Sequence, residues 1–165
     1  MCLSHFITTV VLVLLLSFPT VYASVEDSGI QRGPLWLLPR VELELGRDNN
    51  VLYSNADLRA SLVAWLRAGL QVELESGPNM YHFSYGGEAG RFFSESKSNY
   101  FDNNFAGGAH WEFSHRSLLD LDVKYAKRHE ARGTAYSLGR GGQLDKPDEY
   151  TVLDGGGVFS YGGEM

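Results

Sequence analysis

Residues 61–75 read SLVAWLRAGLQVELE, and their alternation decides the class of fold. Leu62, Ala64, Leu66, Ala68, Leu70, Val72 and Leu74 recur at every second position, with Arg67, Gln71, Glu73 and Glu75 between them; only Val63 and Trp65 blur the polar set. A period of two places the sets on opposite faces of an extended strand, because successive strand side chains point to opposite sides. A helix groups its apolar residues three and four apart, and on that template this run scatters charge onto the apolar side. The run also exceeds the usual strand of a soluble sheet, about five or six residues. It is long enough for a tilted strand across a bilayer, which needs about 9–11 residues.

The same pattern recurs on both sides of this run. Val41, Leu43 and Leu45 alternate with Glu42 and Glu44 in Pro39–Arg47, and Tyr81, Phe83 and Tyr85 alternate with His82, Ser84 and Glu88 in Met80–Phe93. Phe105, Ala109, Trp111 and Phe113 alternate with Ala106, His110 and Glu112; Leu119, Leu121, Val123 and Tyr125 alternate with Asp120, Asp122 and Lys124. Leu153 to Tyr161 supplies a sixth strand, and no helical period separates the six. Their connections alternate in length: Asp48–Ala60 is long, Ser76–Pro78 short, Ser94–Asn104 long, His115-Arg116 short and His129–Glu149 longest. That is the rhythm of outer-membrane barrels, with tight periplasmic turns and extended external loops. The expected fold is all-β, an antiparallel up-and-down transmembrane β-barrel, with the Asn49, Ser96 and Gly141 regions outside.

Aromatic residues support the same reading. Trp36, Tyr53, Phe92, Phe93, Tyr100, Phe101, Trp111, Phe113, Tyr125, Tyr150, Phe159 and Tyr161 cluster near the expected strand ends, where amphipathic rings suit a membrane interface. Aromatics also favour strands in general. One hexapeptide, FSYGGE, occurs at residues 83–88 and again at 159–164, on strands expected to run in opposite directions.

The 165-residue chain opens with a stretch, Met1–Ala23, that carries no Asp, Glu, Lys or Arg. Its run FITTVVLVLLLSF, followed by Pro19 and Val21-Tyr22-Ala23, has the layout of a secretory signal peptide. A membrane anchor is the alternative, but the run is short for a span, which takes about 20 apolar residues. Cleavage is expected near Ala23, with residues 24–36 a periplasmic segment and 37–165 the barrel strands. It also removes Cys2, the only cysteine, and leaves the mature part with the whole net charge of −6. Export without cysteines fits the envelope of a Gram-negative bacterium, and the charge gives no basic stripe for nucleic acid.

With these strands in view, the chain resembles the beta-barrel porin 2 family of bacterial outer-membrane proteins. The residues that carry the likeness are Glu44-Leu45-Gly46-Arg47-Asp48-Asn49-Asn50-Val51, the long second strand, Tyr100-Phe101-Asp102-Asn103 in the second long loop, and Arg128-His129-Glu130-Ala131-Arg132-Gly133-Thr134 leaving the fifth strand. The resemblance implies a porin-like protein, or one concerned with exopolysaccharide or capsule export, with outer-membrane lipid as its surroundings and polysaccharide or small solutes as partners. Family barrels are longer, and a transmembrane barrel needs about eight strands to close. The chain is therefore expected to be the amino-terminal portion of a larger barrel.

No catalytic, cofactor-binding or metal-binding set is expected. Glu42, Glu44, Arg67, Gln71, Glu73, His82, Glu88, His110, Glu112, Asp120, Asp122 and Lys124 are expected to face the lumen; Leu62, Leu66, Leu70, Leu74, Tyr81, Phe83, Tyr85, Trp111, Phe113, Leu121, Val123 and Tyr125 are expected to face lipid. Acid outnumbers base on the lumen side, which favours cations or neutral, hydroxyl-rich solutes. His82, Ser84 and His110 with Asp120, Asp122 and Glu112 are raw material for an outer-membrane hydrolase. Asp48-Asn49-Asn50 and Asp102-Asn103-Asn104 offer hard oxygens for a cation, or are simply turn formers. A soluble periplasmic β-sandwich serving as a binding module is the remaining alternative, and it predicts shorter strands and a covered apolar face.

Overall fold

The computed structural model describes residues 20–26, as backbone, and residues 29–162. Of the expected signal segment, residues 1–19 lie outside them, whereas Thr20–Ala23 open β1, so the expected cleavage near Ala23 falls within a strand. The strands are β1 (Thr20–Glu26), β2 (Ile30–Arg32), β3 (Leu35–Asp48), β4 (Ser61–Ser76), β5 (Asn79–Phe92), β6 (Tyr100–Ser114), β7 (Ser117–Glu130) and β8 (Asp148–Tyr161). They form one antiparallel sheet in the order β1-β3-β4-β5-β6-β7-β8, with β2 also on β3. Its ends do not pair with each other, so the sheet is open. Apart from three short 3-10 turns, the described residues contain no helix.

Each strand follows its predecessor by the shortest route, so the connections sort to two ends. Residues 33–34, 77–78 and 115–116 make the tight turns at one end, and 49–60, 93–99 and 131–147 make the long connections at the other. Gly33 and Gly77 have positive φ, +59° and +62°, and each is followed by proline. Glycine with positive φ at the first turn position is what a II′ hairpin demands, and that turn matches the twist of the flanking strands. At the third turn Ser114 pairs with Ser117, and the register slips between Glu112 and Ser114.

Three boundaries differ from expectation. Residues 24–36 were expected to precede the sheet; instead β1 and β2 both lie along β3, Ala23 opposite Leu43 and Ile30 opposite Leu37. Pro39 sits where the register of this pairing steps by one residue, between the pairs Glu26–Arg40 and Ile30–Leu37. Having no amide hydrogen, it is tolerated at a break in edge pairing. The second long loop is also shorter than predicted, because Tyr100-Phe101-Asp102-Asn103 belongs to β6 and pairs with Gly87–Gly90 of β5. Asp and Asn are poor strand formers by propensity, but Asp102 is satisfied here by His129. Finally, β7 runs on through Glu130, taking in His129 and Glu130 from the expected third long connection.

Register then fixes the two faces. Glu42 lies opposite Arg67, Arg67 opposite Glu88, Glu88 opposite Asp102, and Lys124 opposite Ala106 and Asp154. Leu43, Leu66, Ala89 and Phe101 align in the same way on the other face. By this register all twelve residues expected toward the lumen share one face, and eleven of the twelve expected toward lipid share the other; Phe113 falls in the register shift between Glu112 and Ser114, beside Trp111.

The apolar face is uncovered. Leu62 is 57% exposed, Val123 51%, Leu66 48% and Phe83 44%. Neighbouring aromatics cover one another in part: Phe105 lies between Tyr85 and Tyr125, at 4.9 and 6.1 Å between centroids, and Trp111 Nε1 donates to Tyr81 Oη at 2.7 Å. Among the described hydrophobic residues only Val51, Leu52 and Val63 are buried, and these sit at the long-loop end. Among the described residues no second layer covers the apolar face of the sheet.

Candidate functional site: a charged trough and its loop cap

The polar face carries a chain of ionic contacts across β3 to β7. Arg67 Nη1 donates to Glu42 Oε1 at 2.9 Å and to Glu44 Oε2 at 2.8 Å, and its Nε donates to Glu88 Oε2 at 2.5 Å. The strand period makes this possible: Glu42 and Glu44 are two apart on β3, hence on one side, and Arg67 on β4 stands directly opposite Glu42. Arg40 caps the outer oxygen of Glu42 at 2.8 Å. On the far side Tyr100 Oη donates to Glu88 Oε1 at 2.5 Å, the Tyr100 ring stacks on His129 at 3.5 Å between centroids, and His129 Nδ1 meets Asp102 Oδ1 at 2.9 Å.

Arg67, Gln71, Ser84, Glu88, Asp102 and Asn104 line a trough of about 700 Å³ on this face. A Cβ at Gly86 would fall 2.7 Å from Asn104 Oδ1, so a larger residue there would displace the Asn104 amide in the trough wall. Arg40 and Arg67 face Glu42, Glu44, Glu88 and Asp102 in and around the trough, so carboxylates exceed guanidiniums by two and the trough is acidic overall. It offers hydroxyl, amide and carboxylate groups to hydrated cations or sugar hydroxyls, and both of its guanidiniums, Arg40 and Arg67, are paired with carboxylates.

At the long-loop end the three connections fold into a cap. Glu95 is the tie: its Oε1 accepts from Arg59 at 3.1 Å and its Oε2 from Arg132 at 3.5 Å, joining 49–60, 93–99 and 131–147. The Asp57 and Glu95 carboxylates push the pKa of Arg59 up from its ordinary value. Lys97 reaches Asp145 at 2.5 Å and holds its carboxyl below the usual range. Gly133 (φ +92°) lets the third loop pass under Leu52, whose carbonyl oxygen lies where a Cβ would be. Ser137 Oγ accepts from the Gly133 N–H at 2.8 Å, and Arg132 Nε donates to the Gly141 carbonyl at 3.1 Å.

Several expectations from the sequence separate here. His110 does meet Asp120 at 2.6 Å and Glu112 at 3.5 Å, but neither His82 nor Ser84 bonds to them, and among the described residues no hydroxyl or thiol is bonded to an imidazole. His82 lies instead against Gly108, its ring occupying the space a Cβ there would need. Asp48 and Asn50 are spent on the turn, accepting from Asn50 N and Ser54 N at 2.8 and 3.0 Å. No group of three His, Cys, Asp or Glu among the described residues is placed to hold a metal. Of the aromatics expected at a girdle, Phe92 and Tyr100 line a cavity with Trp65 on the polar side.

Two features escaped sequence reading. The Asp102–His129 pair joins residues assigned to different loops, and Arg132 looks like any exposed loop cation until its surroundings are known. In comparisons with protein-family models, curated proteins and solved structures, nothing matches the chain.

Proposed function

We propose that the chain is part of the wall of an outer-membrane β-barrel, exported through a cleaved signal peptide, with the apolar face against lipid and the trough toward a lumen. The observation that carries this is the uncovered apolar face, which runs across the middle of six strands of 14–16 residues and gives way toward the long-loop end to Arg47, Arg91, Asn103, Lys127 and Glu149. The apolar row of β4, from Leu62 to Leu74, extends about 40 Å at roughly 3.4 Å per residue, which at a tilt of about 45° rises some 28 Å, close to the thickness of a bilayer's hydrocarbon. Placed in water, so wide an apolar surface would drive association. A β-sandwich needs a second layer over this face, and none is present among the described residues.

On this reading the tight turns are periplasmic and the loop cap is external. The open edges, β8 on one side and β3 with what cleavage near Ala23 leaves of β1 on the other, are completed by further strands, because unpaired backbone is costly in lipid. The role is porin-like or in polysaccharide export, as the resemblance implies, and the acidic trough favours cations and neutral, hydroxyl-rich solutes. Catalysis forms no part of it.

Fractionation provides the test. The chain expressed with its leader in a Gram-negative host is expected in the outer-membrane fraction, released by detergent and not by carbonate or salt. Recovery as a detergent-free periplasmic protein would end this reading.

A further inference from the structure

Over β3 to β8 the apolar face is charged at one end only. At the tight-turn end these strands present Leu35, Leu74, Tyr81, Trp111, Leu119 and Phe159. At the long-loop end they present Arg47, Arg91, Lys127 and Glu149, three bases to one acid. Lys127 is taken by Glu149 at 2.9 Å. Arg47 and Arg91 are exposed and form no ion pair among the described residues, and Thr20–Ala23, which lie along this end of β3, contain no acid. Arg47 stands opposite Leu62 and Arg91 opposite Ala64, so the two flank β4. They are about 10 Å apart across the sheet and about 7 Å along it, near enough for two long side chains to close on one group. Leu62 and Phe101, 57% and 54% exposed, continue the apolar surface beside them. On the edge strand β2, Arg32 lies opposite Leu35 as a single base.

We propose that Arg47 and Arg91 form a site on the lipid-facing surface for the phosphate groups of a glycolipid in the outer leaflet. The inference rests on the barrel-wall reading, which turns the long-loop end outward and sets this band level with the headgroups. Charge selects the ligand: two guanidiniums without a carboxylate partner complement an anion, and their planar forks match phosphate oxygens. Position selects the source. The aliphatic stems lie along an apolar surface that takes acyl chains, so a phosphate carried on a lipid gains from both contacts, whereas a phosphate free in water gains from one.

In the test, the full chain is diluted from detergent and floated with phosphatidylcholine vesicles, either alone, with diphosphoryl lipid A, or with the same lipid freed of its phosphates. Flotation with phosphatidylcholine alone reads the apolar face, and the gain in apparent affinity from the phosphates reads the site. That gain is expected to be about tenfold or more, and added sodium chloride is expected to reduce it. Arg47→Gln and Arg91→Gln are each expected to lower it about fivefold, the effect of one base at a charged membrane surface. Lys124→Gln removes the same charge from the polar face, opposite Ala106 and Asp154, and is expected to leave the gain within about twofold. No gain from the phosphates, an equal gain without them, or an equal loss in Lys124→Gln would overturn the proposal and leave the barrel-wall reading standing. Failure to float with phosphatidylcholine would end both.

Discussion

Tyr100 and His129 stack with their centroids 3.5 Å apart, although strict alternation along β7 puts His129 on the side of Tyr125 and Lys127. The pairing of β6 with β7 stops at Asn103–Lys127; beyond it the Asp102 carboxylate takes both the backbone N–H and the ring of His129, at 2.9 Å each. A side chain has replaced the main-chain ladder, and the imidazole is drawn to the polar face. Tyr100 links it on to Glu88. Replacing His129 by Ala removes the stack and leaves Asp102 without its ring partner, whereas Tyr100→Phe removes one hydroxyl from a Glu88 that keeps Arg67. The expected loss of stability is about 2 kcal/mol for the first and about 1 kcal/mol for the second. Urea unfolding in micelles, followed by far-ultraviolet circular dichroism, gives the order; the reverse order would mean that the stack is incidental.

The two faces can be set against each other with adjacent residues. Leu70 lies on the apolar face opposite Tyr85, and Gln71 lies on the polar face opposite Ser84. Leu70→Arg puts a charge into lipid on the proposed reading, at a cost of about 2–4 kcal/mol near the midplane, and is expected to abolish recovery from the outer membrane. Gln71→Arg places the same side chain in the trough and is expected to leave recovery within about twofold of the parent, as a solvated polar face tolerates charge. Equal loss in both variants would remove the distinction between the faces.

Arg67 is the cation shared by Glu42, Glu44 and Glu88. With Arg67→Gln, three carboxylates lose their common partner. In planar bilayers under a potassium chloride gradient, the reversal potential is expected to move toward the potassium limit, and added salt is expected to blunt the shift. A reversal potential identical to that of the parent would place Arg67 away from any conducting path.

Much of this arrangement was legible beforehand, and the reason is geometric. A period of two survives any register that keeps the faces together, so Glu42, Arg67, Glu88 and Asp120 were assignable to one side without knowing their partners. What could not be read depends on partners far away in sequence. Tyr100–Asn103 has the composition of a loop, and only His129, brought in by β7, makes extended backbone satisfactory for Asp102. Arg132 is followed by Gly133, a turn signal, yet its burial follows from Leu52 and Gly141 closing over it. Pro39 pointed to the start of a strand; it sits inside β3 because the neighbouring edge changes register there.

The Lys97–Asp145 pair ties the second long loop to the third, and its pH dependence follows from one group. Lys97 depresses the folded-state pKa of Asp145 below its unfolded value. The contribution is therefore fully present above the ordinary aspartate pKa, about 3.9, and is lost as pH falls through the lowered value. Both side chains are exposed, so the effect on global stability is small. Its place is local, in the opening of residues 131–147. Pepsin cleavage within that loop is expected to quicken as pH is lowered from 4.5 toward 2.5, by more than the enzyme's own profile measured on a peptide of the same sequence. Asp145→Asn is expected to cleave quickly across that range and to flatten the difference. A parent loop that tracks the peptide throughout would show that the pair does not hold the cap, leaving Glu95, between Arg59 and Arg132, as its sole ionic tie among the described residues.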